Sequence, residues 1–141
     1  MQPDQILLVQ QSFAAVLPIA DTAAMLFYNR LFELDPSLRP LFKQDMQDQR
    51  RKLMTTLTIV VRGLTRLDVL LPSVQMLGQR HVAYGVTEEH YATVGAALIW
   101  TLQQGLGETF TPDVEAAWIA AYTLLSEAMQ AAAYNLEPAI A

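Results

Sequence analysis

The two histidines of the chain, His81 and His90, lie on either side of Gly85 in the stretch LGQRHVAYGVTEEHY. A helix that begins after Pro72 and ends at Gly85 would turn the His81 side chain inward, because proline suits a helix boundary and glycine a helix end. The side chains on the same stripe as His81 would be Val74, Leu77 and Tyr84. An inward imidazole has two interpretations: a core histidine bonded to a backbone carbonyl, or the neutral axial ligand of a haem iron.

A second group of residues, three polar and one apolar, recurs at helical spacing on one face: Gln49, Lys52, Thr56 and the apolar Leu53. On this face Gln49 could donate a hydrogen bond to a bound ligand, and Leu53 would press on the open coordination position. Lys52 is long enough to reach the rim and meet a haem propionate, and Arg80 could serve the other edge. The alternatives are solvated charges for Lys52 and Arg80, and a solvent-facing amide for Gln49.

Three aromatic residues complete the candidate set. Tyr28 is a phenol on an otherwise apolar stripe, so its hydroxyl needs a partner, either a backbone carbonyl or a ligand at the iron. Phe42 ends the tight segment PSLRPLF, where it would either contact a flat cofactor or pin the corner to the core. Tyr91 could form a hydrogen bond near His81.

The composition indicates a single domain that spans residues 1–141. Hydrophobic residues make up 52% and charged residues 16% of the chain, which excludes disorder and predicts an interior or partner surface with apolar area to spare. The net charge of −5 makes nucleic acid a poor partner, although Arg50, Arg51 and Lys52 could meet a small anionic ligand. Because there is no cysteine, disulfides, cysteine-ligated zinc, iron–sulfur clusters and thiol catalysis are excluded.

The N-terminal residues MQPDQ are polar and acidic, so we expect no secretory signal. No apolar run is expected to approach the ~18 residues of a membrane span. These features predict a soluble cytoplasmic protein, present as a monomer or a weak homodimer.

Helical periodicity runs through the chain and strand alternation is nowhere sustained, which predicts an all-α class with about seven helices. Asp21 is the expected N-cap of the second helix, Arg66–Leu71 a connector, and Thr111 the cap of the last helix. The tail after residue 134 should fray. The predicted helices are 4–17, 21–34, 47–64, 73–84, 87–104 and 112–134, besides the short PSLRPLF segment.

The order and spacing of five motifs resemble those of the globin family. The motifs are LFYNRLF, PSLRPLF, LLPSVQMLGQRH, HYATVG and AAWIAAY, and they extend over nearly the whole chain. More narrowly, the sequence is similar to bacterial single-domain haemoglobins and to the globin domain of flavohaemoglobins. The resemblance implies a globin fold, a 3-on-3 helical sandwich around haem b.

The resemblance also implies roles for the candidate residues. It makes His81 the proximal iron ligand, places Tyr91 in the proximal network and packs Phe42 on the porphyrin. The distal residues that it implies are Tyr28 and Gln49 as a pair, with Leu53 as the apolar wall. One departure is Ala133, which occupies the position of a glutamate that flavohaemoglobins place in their proximal network. Without that carboxylate, the iron should behave more like that of an oxygen-binding globin.

Three functions remain open at this point. The first is a pentacoordinate haem globin that binds O2 reversibly, and NO and CO besides, for oxygen binding and transport. The second is a nitric oxide dioxygenase, which would need an external reductase, because 141 residues do not house flavin and nicotinamide domains. The third is a haem-free, globin-like sensor module whose apolar pocket is empty or filled with lipid.

Overall fold

The computed structural model describes residues 1–42, 45–83 and 85–133. Within these ranges there are six α-helices, three short 3-10 helices and no strand, so the predicted all-α class is confirmed. The α-helices are α1 (Pro3–Val16), α2 (Ala20–Leu34), α3 (Met46–Gly63), α4 (Leu67–Ala83), α5 (Glu88–Leu106) and α6 (Pro112–Ala133). The 3-10 helices are Leu17–Ile19, Pro36–Leu41 and Gly107–Thr109. The predicted inward position of Tyr84 and the predicted fraying of the tail lie outside the described residues.

The helices pack as two layers of three. One layer consists of α1, α3 and α4 and the other of α2, α5 and α6, with the most extensive contacts between α4 and α6 and between α2 and α5. Phe13 and Trp118 join α1 to α6 with ring centroids 6.2 Å apart, and the Trp118 Nε1–H donates to Ser12 Oγ at 2.8 Å. Since a buried indole N–H needs such an acceptor, this contact fixes the crossing of the two layers.

The helix that carries His81 begins earlier than predicted. Val69 and Leu70 both donate their backbone N–H groups to the Arg66 carbonyl at 3.0 Å, so the predicted connector Arg66–Leu71 is wrong and Pro72 lies inside α4. A proline in a helix interior costs about 3 kcal/mol. Leu70 is buried by the added turn, and burial of a leucine offsets about 1.5–3 kcal/mol of that cost.

The start of α2 also differs from the prediction. Asp21 is not the N-cap, because the helix begins at Ala20 and Asp21 lies in its first turn. The Ala20 N–H donates to the Leu17 carbonyl, so the 3-10 turn leads directly into α2, and the N-cap position falls on Ile19, which has no side-chain capping bond. Leu17 is exposed on that turn, and the preceding Val16 is buried. The predicted cap of the last helix is confirmed, since Val114 N–H donates to Thr111 Oγ1 at 3.3 Å.

One continuous stretch, Pro3–Leu34, meets the length and composition of a membrane-spanning helix, with a mean hydropathy of 1.4 in its apolar window. This differs from the expectation that no apolar run approaches that length. The stretch comprises α1, the 3-10 turn and α2, and α1 packs against α6 while α2 packs against α5. Of the apolar window, 22% is buried inside the protein, and length and composition alone are a weak indication of a membrane span.

Candidate functional site

His81 is half-buried near the end of α4, and the chain leaves this helix through Gly85, whose φ of 91° lies in the region that favours glycine. The His81 Nδ1 lies 2.8 Å from the carbonyl oxygen of Leu77, one turn earlier. A carbonyl accepts only from an N–H, so the lone pair of the ring is on Nε2. The Nδ1–H therefore makes the backbone hydrogen bond expected of a core histidine. This bond is compatible with a metal-ligand role for Nε2, because metal-bound histidines usually donate their other N–H to a carbonyl or carboxylate.

The pKa of His81 is lowered from its usual value by burial of the imidazole, and the hydrogen bond to Leu77 raises it by less. Burial away from water disfavours the charged form. The ring is therefore neutral at pH 7, which is the form that can coordinate a metal.

The second histidine has a different role. His90 lies in the first turn of α5, where its Nδ1 accepts the backbone N–H of Thr87 at 3.0 Å. This bond satisfies one of the backbone donors that a helix start leaves without an intrahelical partner. His90 is therefore a helix-capping residue, and His81 is the candidate for chemistry.

Tyr28 and Gln49 come together although 21 residues separate them. Gln49 Nε2 donates to the Tyr28 hydroxyl oxygen at 3.1 Å, and Tyr28 is only 5% exposed. Burial raises the pKa of Tyr28 above its usual 10, and the bond from Gln49 lowers it by less. The phenol is therefore neutral below about pH 10, and because its oxygen accepts from Gln49, its O–H keeps the role of a donor.

An aromatic cluster surrounds this phenol. The Tyr28 ring meets the edge of Phe27 at 5.0 Å and that of Phe42 at 5.4 Å, and it stacks on Phe32 at 6.1 Å. Phe42 also packs on Phe32, at 5.5 Å. The corner-pinning interpretation of Phe42 is thus observed, and its predicted contact with a flat cofactor stays a prediction. Phe32 had no assigned role in the sequence, where its place on the α2 stripe was the only signal.

The inner face of α3 packs against the core and is only partly buried. Gln49, Leu53 and Thr56 are half-buried, and Val61 is the buried residue of this 18-residue helix. Helix α3 packs mainly against α2 and only sparsely against α4. Leu53 on α3 and His81 on α4 therefore lie on two helix faces that make little contact with each other. A flat apolar group inserted between α3 and α4 requires this arrangement, so the residues present fit a haem.

A small apolar cavity of about 20 Å³ lies beside Leu53. Thr101 on its wall donates its hydroxyl to the Ala97 carbonyl at 2.8 Å, which leaves the threonine methyl as the neighbour of the space. The wall of the cavity is formed by Phe13, Val16, Ala23, Ala24, Phe27, Leu53, Met54, Leu57, Leu98, Thr101, Leu102 and Trp118. An apolar space of this kind stays dry.

The remaining predicted residues are less tightly placed. Lys52 on α3 and Arg80 on α4 are exposed. This exposure agrees with both interpretations of their charges, a contact with a haem propionate and solvation by water. Tyr91 is buried in the first turn of α5, and its backbone carbonyl accepts the Tyr122 hydroxyl at 2.5 Å. This bond anchors Tyr91 to α6, and its proposed link to His81 stays a prediction.

Gly78 was missed by the sequence analysis. It is buried on α4, three residues before His81, and a β-carbon there would lie only 2.7 Å from the Met129 Cα. The backbones of α4 and α6 therefore touch at this point, which sets the position of the helix that carries His81. A glycine inside a helical pattern was the available signal.

Comparison with known proteins identifies the family. The sequence model of the globin family matches residues 25–129. A flavohemoprotein of Bordetella parapertussis is 36% identical over 104 residues, which is 72% of this chain and 26% of that protein. A flavohemoprotein of Bacillus subtilis is 32% identical over 105 residues, with the same 72% and 26%. The aligned part of the chain thus spans about a quarter of the length of these curated relatives.

Solved structures agree on the fold. A bacterial globin from Campylobacter jejuni superposes with a TM-score of 0.84 at 22% identity, over 96% of this chain and 98% of that one. An engineered carbene transferase, described as a putative nitric oxide dioxygenase from Rhodothermus marinus, superposes with a TM-score of 0.86 at 24% identity, over 96% and 95%. The globin fold predicted from the sequence is confirmed, and the chain belongs to the globin family.

Proposed function

We propose that the chain is a haem-b globin that reversibly binds O2 and, at the same site, NO and CO. Membership of the globin family and the flavohemoprotein relatives imply haem binding. The observation that carries the finer proposal is the partly buried hydrogen bond from Gln49 to Tyr28, because it orients a neutral donor on one side of the pocket. When bound, the haem supplies an iron centre that takes a diatomic ligand and polarises it.

In this proposal, different residues of the chain act on the proximal and distal sides of the haem. On the proximal side, His81 would hold the haem iron through Nε2, and the Leu77 carbonyl orients the ring through Nδ1. Lys52 and Arg80 serve the propionates at the rim in this proposal, and Tyr91 supports the proximal side. The lowered pKa of His81 keeps the imidazole available as a neutral ligand.

On the distal side, the amide of Gln49 donates to the Tyr28 oxygen, so the phenol O–H is aimed away from Gln49. Preorganised donors stabilise a ligand that carries partial negative charge, and they do so more strongly where water is excluded. In this proposal Leu53 closes the pocket as an apolar wall, and Phe42 packs on the porphyrin. A hydrogen bond of this kind contributes roughly 1–2 kcal/mol, or about tenfold in the dissociation rate of the ligand.

Tyr28→Phe tests the distal donor. The variant keeps the ring and its contacts with the surrounding aromatic cluster, and it removes the hydroxyl. We expect the O2 dissociation rate, measured by stopped-flow mixing, to rise about tenfold. Thr101→Val is the matched control, because it deletes a buried hydroxyl that donates to the Ala97 carbonyl within α5 instead. An unchanged dissociation rate in Tyr28→Phe would remove Tyr28 from the role.

A second candidate function is nitric oxide dioxygenation with a separate reductase, and the flavohemoprotein relatives support it. The reaction joins NO and O2 into nitrate and consumes one electron, so each turnover needs an electron donor. We expect steady-state NO consumption by the holoprotein only when NADH and a flavoprotein reductase are both supplied. A single stoichiometric burst with no further turnover in their presence would leave reversible ligand binding as the function. A haem-free sensor module is the third candidate, and a Soret band in the purified protein decides against it.

A further inference from the structure

The charges of the chain are distributed very unevenly. All nine lysine and arginine residues lie between Arg30 and Arg80, together with five acidic residues, so this segment carries a net charge of +4. Residues 81–141 carry seven acidic residues and no basic one. The helices α3 and α4 therefore belong to a basic part of the protein, and α5 and α6 belong to an acidic part. An asymmetry of this kind orients a charged partner before contact.

The exposed side of α3, called here the outer face of α3, has the composition of an interface. Its members are Asp48, Arg51, Thr55, Ile59 and Arg62. Ile59 is 56% exposed and lies within one to two helical turns of Arg51 and Arg62. An apolar residue within a charged, arginine-rich rim is typical of surfaces that bind other proteins.

A cleft of about 320 Å³ adjoins this face, between the start of α2 and α3. Its walls are formed by Ala20, Asp21, Gln47, Arg50, Arg51, Met54, Thr55 and Thr58. Arg50 Nε is buried and makes no hydrogen bond within the described part of the chain. The nearest carboxylate belongs to Asp21 at 3.6 Å, which is too far for a hydrogen bond.

The two arginines of the cleft hold their present partners weakly. Arg50 faces Asp21 at 3.6 Å and Arg51 faces Asp48 at 3.8 Å, and the two aspartate side chains are 80% and 58% exposed. Pairs of this length with such exposed carboxylates contribute between nothing and about 1 kcal/mol, although the Arg50 side chain itself is only 25% exposed. A carboxylate that enters the cleft would satisfy the buried Arg50 Nε and could form a two-bond contact with a guanidinium, which is the stronger arrangement.

We propose that the outer face of α3 and the adjoining cleft dock an acidic electron-donor protein, which places an aspartate or glutamate side chain in the cleft. This inference rests on the second candidate function, nitric oxide dioxygenation, because that reaction consumes one electron in each turnover. Gln49 and Leu53 lie on the opposite side of the same helix, so the docked protein is about one helix diameter, ~10 Å, from the pocket. The reduced flavin of the partner gives up one electron, which converts ferric to ferrous haem.

The test uses the ferric holoprotein and a photoreduced flavodoxin, a small acidic flavoprotein, as the probe. Arg51→Gln/Arg62→Gln should lower the second-order rate constant of haem reduction at least fivefold at low salt. The difference should vanish near 1 M salt, where the screening length is about 3 Å. Arg50→Gln alone should lower the same rate constant by a smaller factor, with the same dependence on salt. The reason is that it changes the cleft and leaves the outer face of α3 intact.

Gln104→Glu/Thr123→Glu is the matched control, since it changes the net charge by the same −2 at exposed positions of α5 and α6. We expect this control to reduce at a rate close to that of the unchanged protein. Equal rate constants for the arginine variant and the unchanged protein would overturn the proposal, and so would an equal loss in both double variants. A salt-sensitive dimer of the chain that the arginine variant dissociates would assign the outer face of α3 to a second copy and would also overturn it.

The docking result and the proposed function are scored separately. Docking is scored by the rate of haem reduction, and the function by O2 dissociation and NO consumption. Suppose that NO turnover fails with a reductase present, whereas haem reduction is slower in the arginine variant than in the unchanged protein. This result would contradict the dioxygenase function and support the docking surface. If NO turnover is equally fast in the arginine variant and the unchanged protein, the result would support the dioxygenase function and contradict the docking surface.

Discussion

Replacing His81 with alanine should abolish stable haem retention by the purified chain. The imidazole is neutral and held by the Leu77 carbonyl, and in the proposed site it provides the bond from protein to iron. Removal of a residue that merely orients such a ligand costs 10–100-fold in affinity, so removal of the ligand itself should cost at least about 100-fold. A haem titration of the apoprotein followed by absorbance measures the effect.

His90→Ala is the matched control for this experiment. It deletes an imidazole that accepts the Thr87 N–H at the start of α5, so it should lower the free energy of unfolding by about 1 kcal/mol and leave haem affinity unchanged. Exogenous imidazole should restore the absorption bands of His81→Ala, because the substitution leaves space where the ring was. A pigmented His81→Ala protein with unchanged bands and no added imidazole would contradict the assignment of the axial ligand.

Gly78→Ala should destabilise the protein by about 3 kcal/mol, at the upper end of the range for overpacking a core. The added methyl would lie 2.7 Å from the Met129 Cα, and both sides of this contact are helix backbone that no rotamer change relieves. Helices α4 and α6, which form the most extensive packing contact of the protein, would have to separate. Because α4 carries His81, haem affinity should fall as well. Urea unfolding of the apoprotein measures the first effect, and the haem titration the second.

Gly105→Ala is a control that makes the same glycine-to-alanine change but should raise the free energy of unfolding. This glycine lies in α5, and its added methyl would meet the Ile19 Cδ1 at an ordinary 3.4 Å. Alanine in place of an unstrained helical glycine stabilises by about 0.4–1 kcal/mol, because it restricts the unfolded chain. An unfolding midpoint of Gly78→Ala equal to that of the unchanged protein would show that α4 and α6 do not touch at this position.

Much of the candidate site was predictable from local sequence rules. The inward stripe of α2 that holds Tyr28, the face of α3 with Gln49 and Leu53, and the inward His81 all follow from helical spacing, which relates residues three or four apart. Gly85 as the end of the His81 segment follows from the conformational freedom of glycine. These rules compare residues within about two helical turns, so they place a side chain on a face without naming its partner.

The amino-acid sequence by itself determined the all-α class, the helix faces and the family resemblance, because periodicity, turn residues and motif order are local or linear properties. Only the tertiary structure decided that Gln49 donates to Tyr28, that Phe42 packs on Phe32, that α4 accepts Pro72 in its second turn and that Gly78 touches α6. Each of these depends on how two helices cross. The crossing is set by the packing of the whole core, and the propensity of the residues at the contact does not determine it.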